Sequence, residues 1–486
     1  MTNETIHFKN LDVLIAFDVT AQEHVYLHGQ DLVVQGDRLI QVGGTFDGHA
    51  DKTIDGGGLM AMPGLINMHT HPSSEPGNRG LLEELGSPRL GQSSLYEYMP
   101  IFRVGVEFAP FTTQVAVSEM LKSGVTTYVD MSLPRESWID DVAATGIRAV
   151  LGPMYRSGAW QTRNGHSVDY TWDEPAGRKS FARALEIARK AREHDSGRLS
   201  SMLCPSQIDT CTEELLRDSR AAALEEGMRL QIHAAQSAVE FAEITRRHGR
   251  TPIEWLHDIG LLDEHLIIGH GIFLNDHPSV FWPQARDFQL LSESGAAVAH
   301  CPTVFARRGI ALNTYGRYKD AGIRVGIGTD TFPHNILDEM RTAMYASRIM
   351  ARDYTAAPTA DIFASATTTA ASMLGRSDIG RLEAGCKADF SLVDLGHAYM
   401  RPVREPLRSL LYSAGDRAIR DVYVGGQQVV RSGEVLTIDI EKALFEVERG
   451  QKVTLLNAPG NDYASRQVEQ MSPRVLRTVD ALEVPL

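Results

Sequence analysis

The chain has 486 residues, 43% hydrophobic and 23% charged, the balance of an ordinary globular protein with room for two domains. A net charge of −14 speaks against nucleic acid or an anionic membrane as partner. Four cysteines (Cys204, Cys211, Cys301, Cys386) without CxxC spacing exclude a disulfide framework, and MTNETIHFKN has no secretory pattern, so the expectation is a cytoplasmic protein without a membrane span.

The first 60 residues read as short β segments split by turn signals, with a hairpin expected at the Gly-Asp of VVQGDRLIQ. A similar set returns after residue 380, with a second hairpin signal in VYVGGQQVV. Two β-rich ends around a different middle imply one small β domain built from both, residues 1–62 plus 381–486, closing in a charged tail. Between them, apolar strands alternate with amphipathic helices. The strands are GLINMHTH (64–71), GVTTYVDMS (124–132), IRAVLGPM (147–154), SSMLCPS (200–206), RLQIHAA (229–235), HLIIGHGI (265–272), AAVAHCPT (296–303) and RVGIGTDT (324–331). Eight β-then-α units of nearly continuous apolar strands predict a parallel (β/α)₈ barrel of TIM type over 63–380. The long strand-free stretch 72–110 follows the first strand and reads as an active-site loop or lid.

On such a barrel, functional side chains come from the C-terminal strand ends. Those ends carry His69 and His71, two apart and so on one face of the first strand, then His233, His270, His300 and Asp330. A lone histidine at a strand end is more often a packed rim residue. Imidazoles and a carboxylate converging on one rim are hard to explain as packing, and suit zinc or another divalent ion that acidifies water.

The sequence resembles the amidohydrolase superfamily, and within it the cytosine-deaminase and triazine-hydrolase group. The likeness rests on PGLINMHTHP, CPSQIDTCTEELL, LQIHAAQ, IIGHGIF, AVAHCPT and GIGTDTFPHNILDEMR, in the family's order, and on the returning segment IGRLEAGCKADFSLVDL. It implies one metal ion held by His69, His71, His233 and Asp330, with Zn²⁺ first and Fe²⁺, Co²⁺ or Mn²⁺ as substitutes. A binuclear site is not implied, because the fourth strand segment SSMLCPSQIDT has no lysine. His270 would contact the attacking water or the substrate, and His300 would line the site. The partner implied is a small-molecule substrate, in a homo-oligomer.

One position departs from the family pattern. Deaminases of this group read H-x-x-E at the fifth strand, where the glutamate moves a proton to a ring nitrogen; here the segment is HAAQ, with Gln236. An amide cannot cycle a proton at neutral pH. Either the chemistry does without that shuttle, as in attack on an amide, urea or carbamate carbonyl, or another group such as Glu240 carries the proton, or the glutamine is an introduced exchange. The expected activity is therefore hydrolysis of a non-peptide C–N bond, with Asp330, His270 and Gln236 at the chemistry. Ring deamination or dechlorination of a nitrogen heterocycle is the alternative, and an inactive binding barrel the second. Trp160, Arg156 and Phe305 are the further substrate-binding candidates, a tryptophan beside arginine being suited to a planar ligand. Arg163, Arg307 and Arg308 read more simply as loop-packing or surface residues.

Overall fold

The computed structural model describes residues 4–283 and 286–479. Eight parallel strands carry the middle of the chain: β1 (Leu65–Thr70), β2 (Val125–Ser132), β3 (Arg148–Tyr155), β4 (Leu199–Ser201), β5 (Leu230–Ala234), β6 (Leu266–His270), β7 (Ala297–His300) and β8 (Arg324–Ile327). They pair in chain order as two parallel sheets, β1 to β4 and β5 to β8. Isolated parallel bridges join the sheets at both seams. Leu203↔Leu230 and Gln207↔His233 link the segment after β4 to β5, and Thr70↔Asp330 links β1 to the residues after β8.

The fourth strand is not the continuous run expected over 200–206. It breaks after Ser201 and resumes as Cys204–Pro205, paired to β3 at Met154 and Tyr155. Across the break the backbone is shared between neighbours: Met202 N–H donates to the Leu151 carbonyl at 3.1 Å and Leu203 N–H to the Arg229 carbonyl at 3.0 Å. Most strands are buried along their whole length, because helices cover their outer face. The helices start where capping side chains allow. Ser237 accepts the Glu240 N–H at 3.0 Å to open Ala238–His248, and Thr251 and Glu254 form a reciprocal capping box. Gly249, at φ +62°, ends the first of these helices in the left-handed region that glycine adopts without strain.

The chain ends build two further sheets. One, of four strands, is entirely N-terminal and contains the expected hairpin, turning at Gly36–Asp37 between Gln35 and Arg38. The other has seven strands drawn from both ends: Leu59–Pro63 pairs antiparallel with Phe390–Asp394, and the second hairpin turns at Gly425–Gly426. The sheets share an apolar core in which Phe390 stacks on Tyr423 at 4.7 Å, with Phe8 edge-on to both. A buried bidentate pair, Arg148 to Asp389 at 2.7 and 3.0 Å, ties the start of β3 to this region.

Residues 72–110 contain only short helical turns, yet they are firmly held. Arg308 donates to the carbonyls of Leu82 and Leu85 and to Ser94 Oγ. Leu82, Ile101 and Phe102 pack against Ala458 and Met471 of the C-terminal region. The tail includes a long helix, Ile440–Asn461, whose Ala443 and Val447 also pack on Val115 of helix Ala109–Lys122. Among the described residues no helix is long and apolar enough to cross a membrane.

Candidate metal centre

Five of the singled-out side chains converge where the parallel strands end. His69, His71 and His233 present ring nitrogens within 4.8 Å of one another, and so do His69, His270 and a carboxylate oxygen of Asp330. Two glycines make this possible. A Cβ on Gly269 or Gly328 would lie 2.8 Å from His69, so the strands flanking that ring have no side chain there.

Each ring is oriented from behind. His69 Nδ1 donates to Gln231 Oε1 at 2.9 Å, and Gln231 Nε2 in turn donates to the Met68 carbonyl at 3.1 Å. His71 Nδ1 bonds the Met131 carbonyl at 2.7 Å, and His233 Nδ1 the Ser206 carbonyl at 2.5 Å. A carbonyl only accepts, so the proton of each neutral ring sits on Nδ1 and each Nε2 turns a lone pair inward. Among the described residues no donor answers those lone pairs. His69 Nε2 is buried without a partner, and the Nε2 atoms of His71 and His233 face each other at 3.1 Å with no proton between them. Asp330 Oδ1 adds another acceptor, 3.6 Å from His69 Nε2 and 3.3 Å from His71 Nε2. Acceptors facing a common centre with no donor among them are the arrangement a divalent cation completes, and three imidazoles with one carboxylate are a donor set zinc takes.

Electrostatics keeps the rings in the ligating form. Burial and the neighbouring imidazoles lower His69 and His270 well below the usual histidine value, and burial beside His71 brings His233 to about 3. Asp330 is raised by burial, an effect opposed by His71, Arg308 and Arg307. Its backbone is in the left-handed region at φ +59° and exchanges bonds with β1. Asp330 N–H donates to the His69 carbonyl at 2.8 Å, and His71 N–H to the Asp330 carbonyl at 3.0 Å.

Asp330 Oδ2 faces His270 Nε2 at 3.7 Å, and Phe305 stands edge-on to that ring at 4.7 Å. His300 is buried nearby, lowered to about 4 by burial, and its Nδ1, like that of His270, has no partner. Gln236, three residues past His233, is buried with its Nε2 unpartnered. From there a wall runs outward: Ser237 Oγ shares a hydrogen bond with the Tyr96 hydroxyl at 2.8 Å, Tyr96 stands edge-on to Trp160 at 5.1 Å, and the Arg156 guanidinium lies 6.0 Å from the Trp160 ring. Arg163 is elsewhere, exposed and paired with Asp169 at 3.4 Å, while Arg307 bonds the Phe332 carbonyl.

Glu240 is not the solvated helix residue that its sequence position allows. It is fully buried, and its two oxygens accept the N–H groups of Ala235 at 2.6 Å and Gln236 at 3.3 Å, fixing the tight turn after β5. Three contributors escaped the sequence reading. Gln231 was findable, since it sits two residues before His233 and so on the same strand face. Asn67, two before His69, was findable in the same way; its side chain bonds Thr329 N at 3.0 Å and Oγ1 at 2.9 Å. Glu75 gave no signal. It lies in a loop turn, buried with Oε1 unpartnered, and is pushed up to about 8 by burial and the nearby Asp330.

Comparisons with known proteins give the family. The model of the amidohydrolase family matches residues 60–429. The chain is 31% identical over 437 residues to the 5-methylthioadenosine/S-adenosylhomocysteine deaminase of Bacillus cereus (strain 03BB102), covering 86% of this chain and 93% of that protein. Among solved structures it shares the fold of a triazine hydrolase from Arthobacter aurescens, with a TM-score of 0.77 and 21% identity over 92% of this chain and 99% of that one. It also matches an adenosine deaminase from Xanthomonas campestris with bound zinc, with a TM-score of 0.78 and 23% identity over 93% and 98%. The chain belongs to the amidohydrolase family. It is a metal-dependent hydrolase acting on non-peptide C–N bonds.

Proposed function

We propose that this amidohydrolase splits the C–N bond of an amide, urea or carbamate on a small aromatic or N-heterocyclic molecule, using one Zn²⁺ held by His69, His71, His233 and Asp330. In this reading the eight strands are the (β/α)₈ barrel of residues 63–380, and residues 1–62 and 381–486 the β-sandwich beside it. When bound, the ion supplies Lewis acidity and lowers the pKa of water towards about 7. The two oxygens of Asp330 divide the remaining work. Oδ1, turned to His69 and His71, completes the ligand set. Oδ2, turned to His270, takes the proton from the attacking water and passes it to the leaving nitrogen. His270 holds the oxygen on which charge develops. Trp160 and Phe305 flank a planar substrate, while Arg156, Gln236 and His300 offer it hydrogen bonds.

Gln236 is the observation that carries the choice of bond. Its amide cannot relay a proton, and the carboxylate four residues on, Glu240, spends both oxygens on backbone N–H groups. Attack at an exocyclic carbonyl needs only the proton that Asp330 moves. The named relatives favour the second reading, amino-group removal or dechlorination on a purine, pyrimidine or triazine ring.

Mass spectrometry of products from a mixed panel separates the two. The panel holds aminopyrimidines, purines and triazines alongside N-aryl ureas, anilides and carbamates. An amine and an acid released together support carbonyl cleavage; exchange of an amino group for hydroxyl on an intact ring replaces it with deamination. A cytoplasmic homo-oligomer is the accompanying proposal, read by cell fractionation and by light scattering of the purified enzyme.

A further inference from the structure

Residues 72–110 have little regular structure of their own, and one C-terminal stretch claims five of their carbonyl groups. Gln451 Nε2 donates to Gly77 and Arg79 at 2.9 and 2.8 Å, and Thr454 Oγ1 to Arg103 at 3.4 Å. Asn461 Nδ2 donates to Ile101 at 3.1 Å, and Ser472 Oγ to Leu81 at 3.0 Å. Side chains of helix Ile440–Asn461 and of the residues after it thus do for this loop what a neighbouring strand does in a sheet.

The turn after that helix carries the charged part of the contact. Arg466 Nη2 donates to Glu97 Oε1 at 2.8 Å and to Asp462 Oδ1 at 2.6 Å, while its Nε donates to Asp462 Oδ2 at 3.0 Å. Asp462 Oδ2 also accepts the Arg466 N–H at 2.8 Å, so the fork is set before it meets Glu97. Glu97 is buried, and its other oxygen accepts Ser87 Oγ at 2.5 Å. One guanidinium therefore ties the tail to a carboxylate that closes the stretch 87–97 on itself. Tyr463, between the two, meets the other wall. A Cβ on Gly165, in the loop of the hairpin that carries Trp160, would lie 2.6 Å from the Tyr463 hydroxyl, so that ring needs a glycine opposite it. The two walls meet at the neighbour of Glu97: the Tyr96 ring is edge-on to Trp160, and its hydroxyl is bonded to Ser237, the residue after Gln236.

We propose that residues 462–466 are a specificity clamp and that Arg466 is a positioning residue. It fixes Glu97, and through it Tyr96 and the Trp160 ring, and so sets how tightly a planar substrate is held without touching it. This rests on the reading of Trp160 as a substrate wall. The clamp holds none of the groups assigned to the metal or to proton transfer, so it acts on binding rather than on the chemical step.

Two measurements on the full-length, metal-loaded enzyme test this: hydrogen exchange read by mass spectrometry, and steady-state kinetics on the panel compound turned over fastest. In Arg466→Gln, amides of 87–99 should exchange about tenfold faster than in the wild type. KM should rise about tenfold with kcat within about twofold. Arg466→Lys, which keeps the charge, should recover part of the loss. Gly165→Ala, which displaces Tyr463 from the other side, should raise KM in the same way. Arg449→Gln, on the same helix and ion-paired with Glu446, should change neither readout. Wild-type exchange at 87–99 in Arg466→Gln overturns the proposal. So does a fall in kcat at unchanged KM, or faster exchange throughout the chain, since the tail would then hold up the fold rather than shape the pocket. A panel without any substrate counts against the proposed reaction, and the exchange rates then decide the clamp alone.

Discussion

Two buried regions of this molecule treat their polar atoms in opposite ways. In the end sheets, acceptors and donors meet. Asp31 takes His7 Nε2 and the N–H groups of Asn10 and Phe46, each at 2.8 Å, and Asp389 takes Arg148 together with the Gly425 N–H. At the rim where the parallel strands end, His69 Nε2, His270 Nδ1, His300 Nδ1 and Gln236 Nε2 have no partner at all. Each such atom costs about 1–3 kcal/mol. Such atoms occur singly elsewhere, His24 Nδ1 and Thr127 Oγ1 among them, but here they gather around one centre, where the ion and substrate of the proposed reaction would repay the cost. Satisfied burial is architecture; unsatisfied burial of this density is a site.

The sharpest way to break this contrast is Asp330→Asn, which keeps the shape and removes the charge and the proton acceptor. Turnover should fall at least about a thousandfold, about 4 kcal/mol in the barrier, while the thermal melt stays close to wild type. Near-normal turnover with metal retained refutes the role given to Asp330. The converse is Phe390→Ala, which opens a hole beneath Tyr423 and Phe8. Urea denaturation should show a loss of about 3–5 kcal/mol, with kcat per folded molecule unchanged. A large drop in kcat would mean that the two regions are not separable.

A third measurement uses pH. Burial, with Arg381 adding, holds His24 down to about 4, against 6.5 for a free histidine. Between those values the unfolded chain takes up a proton that the folded one refuses, so stability falls as pH drops from 6.5 to 4, by at most about 3 kcal/mol. Unfolding followed across that range should be flatter in His24→Gln. The smallest effect is expected from Gln231→Leu, which removes the support behind His69: metal affinity should fall about 10–100-fold in a chelator competition, with the fold intact. Unchanged affinity would show that the ring is oriented by packing alone.

How much of this was legible in the sequence varies with the length scale. The eight strand positions, both hairpins and the meeting of the histidines with Asp330 follow from short-range periodicity, which strands obey when both faces are buried. The break in β4 had no such signal, since Met202 and Leu203, where it falls, are apolar residues suited to a strand. What could not be read depends on contacts across the chain. Helix Ile440–Asn461 packs against 72–110 over some 350 positions, and Glu75 is buried by residues that come together only in the fold. Glu240 misled because its position on a helix face says nothing of the turn that its carboxylate reaches back to hold.

The seam between β1 and the residues after β8 has an evolutionary consequence. The backbone bonds between His69, His71 and Asp330 make three donors one unit, whose spacing is set by main-chain geometry rather than by any loop. The segments 72–110 and the hairpin carrying Trp160 are held by contacts of their own, to Arg308 and the C-terminal helix or strand to strand, so their form is not what sets that spacing. A lineage built this way inherits its reactive centre intact and experiments only with what the centre is shown. New substrates then cost a loop, not a catalyst.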